Sequence, residues 1–147
     1  MNRSIRRYEP QDLESAVAAW ESASAVGHPF LTPEFLATER KNMAEVYLPN
    51  AETWVIEQDG RVIGFLSLVD NEIGGLFVDA AYHGTGAGRA LMEKAKALHD
   101  VLELEVFEAN TIGRNFYAKC GFMPISQHPH EETGNLLLRL RFTRPED

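Results

Sequence analysis

Cysteine is almost absent from this chain of 147 residues, because Cys120 is its only one. A single cysteine excludes an intrachain disulfide bond and a zinc site built from several cysteines. Long apolar runs are missing as well, since no stretch approaches the roughly 18 apolar residues that mark a membrane span. Arg3, Arg6 and Arg7 lie near the start, but no apolar segment of a secretory signal follows them. We therefore expect a cytoplasmic protein that does not associate with membranes.

Positive charge is also scarce. The chain has 14 lysines and arginines against 22 aspartates and glutamates, which gives a net charge of −8. Sequence-independent nucleic-acid binding requires a basic surface, so we expect no nucleic-acid partner. An acidic surface weakly favours cationic or amine-bearing small partners instead. The chain is 44% hydrophobic and contains no repeat, low-complexity tract or linker, so residues 1–147 are expected to form one domain with a sizeable core.

The order of secondary-structure signals predicts helices that flank a mixed sheet, an α/β or α+β fold. Asp59-Gly60 is a strong hairpin signal, and the strand after it is apolar enough to be covered on both faces. The segment from His128 to Gly134 is expected to be a polar loop before the last strand. The predicted strands are 4–8, 53–56, 62–69, 73–79, 102–107, one that begins at Gly121-Phe122, and 136–142. The second helix is expected to turn four large side chains inward: Phe35, Met43, Val46 and Tyr47.

Three glycines stand at every second position after the strand Ile73 to Asp79. They are Gly84, Gly86 and Gly88, and an apolar pattern with a period near 3.6 residues follows them, so we predict strand, glycine loop and helix. Backbone N–H groups in such a loop, together with the positive end of the helix, form an anion site suited to phosphate. A tight turn without a ligand is the alternative. The sequence lacks the Lys-Ser/Thr pair of a Walker loop and the third glycine of a dinucleotide fingerprint.

A second informative segment runs from Asn110 to Phe122. Asn110 is a good helix N-cap, and Gly121 suits the position just after a helix. Asn110 and Tyr117 are two turns apart and therefore lie on nearly the same helix face, while Gly113 leaves room beside them. Tyr117 could equally be a half-buried core aromatic whose hydroxyl reaches water.

Both segments resemble the GNAT superfamily of N-acyltransferases. In that family a strand ending in hydrophobic-Val-Asp leads to Arg/Gln-x-x-Gly-x-Gly/Ala and a helix; Gly86 and Gly88 fill the small positions, and His83 stands where Arg or Gln is usual. The later segment is similar to the family's Asn-x-x-Ala-x-x-Phe-Tyr-x-x-x-Gly-Phe, with Gly113 in place of Ala. The two segments follow in the family's order. The resemblance implies a mostly antiparallel sheet of six to seven strands, about four helices, and a splayed central strand pair.

The resemblance also implies acetyl-CoA as co-substrate and no metal. Backbone amides from Gly84 to Arg89 would hold its pyrophosphate, and the pantetheine would lie in the gap between the strands 73–79 and 102–107. A neutral histidine at His83 supplies less fixed charge than arginine, and Arg89 is a candidate to compensate. The implied cofactor-binding residues are Leu76, Phe77, Val78, His83, Gly84, Thr85, Gly86, Ala87, Gly88, Arg89, Asn110 and Phe116.

By the same resemblance, Tyr117 is the expected general acid beside the thioester sulfur. A phenol with a pKa of about 10 keeps its proton at pH 7 and can protonate a leaving thiolate of pKa about 8.5. A backbone N–H around Phe77 or Val78 would polarise the thioester carbonyl. Attack by a primary amine of a small molecule, peptide or protein would be direct, because Cys120 is expected off the cleft face.

The general base and the acceptor pocket are the least determined parts. Glu72 is the candidate base, with a solvated turn residue as the alternative. His28 and Phe30 are candidate substrate-binding residues, and for His28 a proton relay and an ordinary loop histidine are the alternatives. His128 and His130 lie two apart, but no third metal ligand is evident nearby. A binding-only sensor of acyl-CoA is the alternative function, and an aminoacyl-tRNA-acetylating toxin is disfavoured by the charge of −8. The protein is expected to be a monomer or a homodimer.

Overall fold

The computed structural model describes residues 2–146 and contains one seven-stranded sheet in the order β1-β2-β3-β4-β5-β7-β6. Neighbouring strands are antiparallel except β4 and β5, which are parallel. The strands are β1 (Arg3–Arg7), β2 (Glu52–Gln58), β3 (Arg61–Val69), β4 (Glu72–Val78), β5 (Val101–Phe107), β6 (Met123–Pro129) and β7 (Leu136–Thr143). The helices are α1 (Leu13–Gly27), α2 (Pro33–Asn42), the single turn α3 (Leu48–Asn50), α4 (Ala87–Leu98) and α5 (Thr111–Lys119). The predicted fold class is confirmed.

The central strand β3 is covered on both faces, as its apolar sequence predicts, because Val62 to Leu68 are all buried. One face of the sheet packs against α4 and α5, where Leu66, Leu91 and Leu104 are at most 1% exposed. The other face packs against α1 through Trp20 and against the turn that follows α2 through Met43. The predicted hairpin at Asp59-Gly60 is confirmed, and both residues have positive φ, which two-residue hairpin turns require.

Two local predictions are wrong. Val46 and Tyr47 are 48% and 45% exposed, whereas Met43 is buried. The chain from Met43 to Tyr47 forms a π-helical turn, so the 3.6-residue period that placed these side chains on one face is interrupted there. His128 belongs to β6, where it is paired with Leu137, and is not part of the loop.

The sheet opens between β4 and β5. These parallel strands are paired only at Glu72–Glu103 and Ile73–Leu104, and beyond those pairs they separate. A bulge leaves Gly74 without a partner on β3 and bends the strand there. The splayed pair expected from the resemblance is therefore present, and it makes the wedge in which the candidate site lies. Among residues 2–146, no helix combines the length and apolar character needed to cross a bilayer.

Candidate active site

A cleft of about 750 Å³ occupies the wedge between β4 and β5 and extends over the glycine loop and the face of α5. It brings together most of the residues that the sequence suggested, although the most distant of them, His28 and Tyr117, are 89 positions apart in the chain. The predicted residues that line it are His28, Leu76, Phe77, Val78, His83, Gly84, Gly86, Gly88, Arg89, Asn110, Phe116 and Tyr117. The predicted residues that do not line it are Phe30, Glu72, Thr85 and Ala87.

The edge of β4 offers its backbone groups to the cleft at alternate residues. The Asp79 N–H donates to the Ile63 carbonyl at 2.8 Å, and a Cβ on Gly64 would lie 2.7 Å from the Phe77 carbonyl oxygen. Phe77 and Asp79 therefore point their backbone groups at β3, and Leu76 and Val78 point theirs into the gap. The Phe77 N–H faces β3 and is not available to a ligand in the gap, which corrects that part of the sequence interpretation. The N–H groups of Leu76 and Val78 are the candidate donors on this strand.

His83 is hydrogen-bonded to the end of β4 that borders the gap. Its Nε2 lies 2.7 Å from the Val78 carbonyl oxygen, and because a carbonyl only accepts, that nitrogen carries the proton. The Val78 carbonyl is thus already hydrogen-bonded, while its N–H stays directed into the cleft. The side chain that replaces the family's Arg or Gln consequently acts on the strand itself.

The glycine loop has the geometry of an anion site. Gly84 and Gly86 have φ of 76° and 90°, and α4 begins immediately after Gly86. The first N–H groups of α4 have no partner within the helix, so they can bind an anion. A Cβ on Gly88 would stand 3.3 Å from the Phe116 ring, so the small residue there lets α4 and α5 approach. Arg89 has no carboxylate within 4 Å among residues 2–146 and lines the same end of the cleft.

Asn110 caps α5 and joins that helix to the loop after α1. Its Oδ1 accepts the Gly113 N–H at 2.9 Å, and its Nδ2 donates to His28 Nε2 at 3.3 Å. A Cβ on Gly113 would lie 2.6 Å from Asn110 Nδ2, which explains why glycine replaces the family's alanine here. Because the cap and His28 engage both ends of the amide, Asn110 mainly positions α5.

His28 is half-buried in an aromatic cluster at the mouth of the cleft. Its ring makes edge contacts with Phe30 at 5.8 Å and Phe107 at 5.4 Å. Burial lowers the pKa of His28 to about 4, so it is neutral at pH 7 and is a poor base. Phe30 packs on Phe107 at 5.3 Å behind the lining and supports the wall without reaching the cleft.

Tyr117 lines the cleft with its ring between Phe116 at 5.4 Å and Phe122 at 5.8 Å. Its hydroxyl makes no hydrogen bond to any residue in the described part of the chain. Burial, with a smaller contribution from Cys120, raises the pKa of Tyr117 to about 12. The phenol therefore keeps its proton throughout the neutral range and is free to donate it to a ligand. Cys120 itself is buried and lies outside the cleft.

Glu72 is separated from these residues. It forms a two-pronged ion pair with Arg139, at 2.7 and 3.2 Å, and Arg139 also binds Glu103. This group ties β4, β5 and β7 together at the closed end of the wedge. Because Arg139 engages its carboxylate and it does not line the cleft, Glu72 is not placed to act as the general base. Among residues 2–146 no three His, Cys, Asp or Glu side chains are placed to hold a metal ion.

The sequence interpretation missed the acidic end of the cleft. Glu39 of α2, Glu132 and His130 of the β6–β7 loop, and Tyr47 converge there. Burial raises the pKa of Glu39, and the nearby charge of Glu132 raises it further, whereas His130 acts in the opposite direction. No local pattern marks these residues, because only the tertiary structure places α2 beside the β6–β7 loop.

The fold and the cleft together define an N-acyltransferase, and comparisons with known proteins agree. A family model described as an acetyltransferase (GNAT) domain matches residues 49–124. Peptidyl-lysine N-acetyltransferase YiaC from Escherichia coli is 31% identical over 88% of this chain and 89% of its own, and YjaB from the same organism is 32% identical over 89% of both. The chain belongs to the GNAT acetyltransferase family.

Solved structures show the same fold. The solution structure of apo-form YjaB from Escherichia coli covers 99% of this chain and 100% of its own, with a TM-score of 0.87 and 30% identity. The PaiA N-acetyltransferase from Thermoplasma acidophilum, in complex with coenzyme A, covers 97% and 99%, with a TM-score of 0.78 and 19% identity.

Proposed function

We propose that this enzyme transfers an acetyl group from acetyl-CoA to a primary amine, and that its acceptor is a lysine side chain of a peptide or protein. The observation that carries this proposal is a cleft that joins three features: an amide-lined glycine loop, a phenol with no hydrogen-bond partner among residues 2–146, and the acidic end formed by Glu39 and Glu132. Each part suits one portion of the reacting pair.

The residues fit coenzyme A at one end of the cleft. The free N–H groups that open α4 and the Arg89 side chain suit a diphosphate. The gap-facing backbone of Leu76 and Val78 suits the amides of pantetheine, which would occupy the place of a missing strand. A GNAT-fold neighbour is known in complex with coenzyme A, which supports this use of the wedge.

The chemistry is a direct transfer. The acceptor nitrogen attacks the thioester carbon, the Leu76 or Val78 N–H hydrogen-bonds the oxygen as its charge develops, and the C–S bond breaks. Tyr117 donates its proton to the departing sulfur. No covalent enzyme intermediate is needed. Cys120 is unsuited to form one, because burial raises the pKa of its thiol and a protonated thiol is a weak nucleophile.

The acidic end of the cleft favours a cationic acceptor. Glu39 is half-buried, and within residues 2–146 neither it nor Glu132 has a cation within 4 Å. A lysine ammonium would relieve the repulsion between these carboxylates before it loses a proton. His130, whose Nδ1 lies 2.9 Å from Thr133 Oγ1, is the proposed proton acceptor. The relatives YiaC and YjaB are called peptidyl-lysine N-acetyltransferases, which supports the same acceptor class.

The test measures free-thiol release from acetyl-CoA with peptides that carry a lysine, a free α-amine only, or neither. We expect the lysine peptide to be the best substrate. In the variant with Glu39→Gln and Glu132→Gln, its KM should rise about tenfold, because two attractive charges are lost. Glu34→Gln on the exposed side of α2 is the matched control and should have no effect. Equal turnover of all peptides would contradict the acceptor proposal, and failure of the protein to bind acetyl-CoA in a calorimetric titration would contradict the function itself.

A further inference from the structure

Arg3 of β1 reaches across 82 residues of sequence to the glycine loop. Its Nη1 donates to the Thr85 carbonyl at 2.9 Å and its Nη2 to Thr85 Oγ1 at 2.6 Å. The third donor, Nε, binds Gln58 Oε1 at 2.7 Å, which orients the guanidinium from β2. All three kinds of guanidinium nitrogen are thus engaged, and two of them hold one residue of the loop.

The loop has few other restraints. Thr85 lies between Gly84 and Gly86, both with positive φ, and glycines lose more backbone entropy on ordering than other residues. The Thr85 hydroxyl also donates to the Tyr82 carbonyl, but that bond stays inside the same turn. Among residues 2–146, the hydrogen bonds that reach positions 84–86 from outside the segment 78–90 come from Arg3.

Arg3 also brings uncompensated positive charge to the glycine loop, although Arg3 itself does not line the cleft. No carboxylate lies within 4 Å of its guanidinium in the described part of the chain. A Cβ on Gly86 would stand 3.8 Å from Arg3 Nη1, so the cation lies directly beside the loop. A chain with a net charge of −8 needs such local cations to bind a polyanion.

We propose that Arg3 is a positioning residue for the diphosphate of coenzyme A. It fastens Thr85 so that the loop amides stay directed at the ligand, and its charge takes over part of the role that an arginine at position 83 would have. His83 is committed to the Val78 carbonyl and leaves that role open. This inference rests on the proposed use of acetyl-CoA.

The experiment compares Arg3→Ala and Arg3→Lys with Arg7→Ala. Arg7 lies four residues further along β1 and, like Arg3, on the face toward α4, where it contacts the Trp54 ring. Its substitution therefore removes the same charge without touching the loop. The dissociation constant for coenzyme A is measured by calorimetry. The kcat/KM is measured with acetyl-CoA and with S-acetylpantetheine, which lacks the diphosphate.

We expect Arg3→Ala to weaken coenzyme A binding about tenfold, the usual effect of losing hydrogen bonds to a charged group. The kcat/KM should fall with acetyl-CoA and stay unchanged with S-acetylpantetheine, a split that a merely structural role would not produce. Arg3→Lys should recover only part of the affinity, because an ammonium lacks the planar fork. Arg7→Ala should bind coenzyme A like the wild type.

A second variant guards against misfolding of Arg3→Ala. Thr85→Val keeps Arg3 and removes the hydroxyl that Nη2 binds, and it should weaken coenzyme A binding about threefold, the effect of one modest hydrogen bond. If the wild type binds coenzyme A, and Arg3→Ala and Thr85→Val both bind it as tightly as the wild type does, the Arg3 proposal is wrong while the proposed function stands. If wild type does not bind coenzyme A, both fail. An equal loss with the two thioesters would also overturn the role of Arg3.

Discussion

Replacing Tyr117 with phenylalanine removes one oxygen atom and tests the proposed chemistry with little structural disturbance. The ring contacts with Phe116 and Phe122 remain, and the hydroxyl has no hydrogen-bond partner among residues 2–146. The free energy of unfolding should therefore change by less than about 0.5 kcal/mol. Loss of a general acid should lower kcat by about 100-fold or more, which corresponds to roughly 2.7 kcal/mol of barrier.

The assay measures thiol release with acetyl-CoA and a lysine peptide from about pH 6 to about pH 9. Thermal unfolding of each variant is measured by calorimetry in parallel. Because burial raises the pKa of Tyr117 to about 12, the wild type should show no loss of kcat from ionisation of this phenol in that range. Tyr8→Phe removes a phenolic oxygen outside the cleft and should leave kcat unchanged. Full activity of Tyr117→Phe near pH 7, or an equal loss in Tyr8→Phe, would refute the general-acid role.

Three further predictions follow from single contacts. Asn110→Ala removes the cap on the Gly113 N–H and should lower the free energy of unfolding by about 1 kcal/mol, measured by urea titration, with Asn110→Asp retaining most of it. His28→Gln should reduce the sensitivity of folding to acid. The folded pKa of His28, about 4, lies below the usual 6.5, so the wild type loses stability as pH falls from 6.5 towards 4 and the variant does not lose this contribution. Urea unfolding of both proteins at about pH 7 and about pH 5 would show the difference. Asp12→Asn should destabilise at pH 7 by about 1–2 kcal/mol, because Arg6 binds Asp12 at 2.8 and 2.9 Å and lowers its pKa. That stabilisation is present above the unfolded pKa of 3.8 and is lost as pH falls through the lower folded value, so the two proteins should converge in acid; a constant difference would contradict the linkage.

Local chemistry in the sequence was sufficient for most of the elements and for two parts of the candidate site, the glycine loop and the cap of α5. Positive φ requires glycine at positions 84 and 86, the two-residue hairpin turn favours Asp59-Gly60, and the first turn of α5 favours Asn110 as its cap. Each of these signals acts over a few neighbouring residues. The unbroken apolar sequence of β3 likewise predicts burial on both faces. Such features can be predicted from the sequence because their causes lie within one turn or one strand.

The partners of individual side chains were decided only by the tertiary structure. Which backbone groups of β4 face the wedge depends on its register with β3, so Leu76 and Val78, and not Phe77, present their N–H groups to the cleft. The ion pair with Arg139 that occupies Glu72 bridges residues 67 positions apart. The cation beside the glycine loop comes from the far edge of the sheet. The sequence determines which local structures and interactions each residue can form. Long-range packing determines which distant side chains come into contact, because their contact energy is gained only after the loops between them have closed.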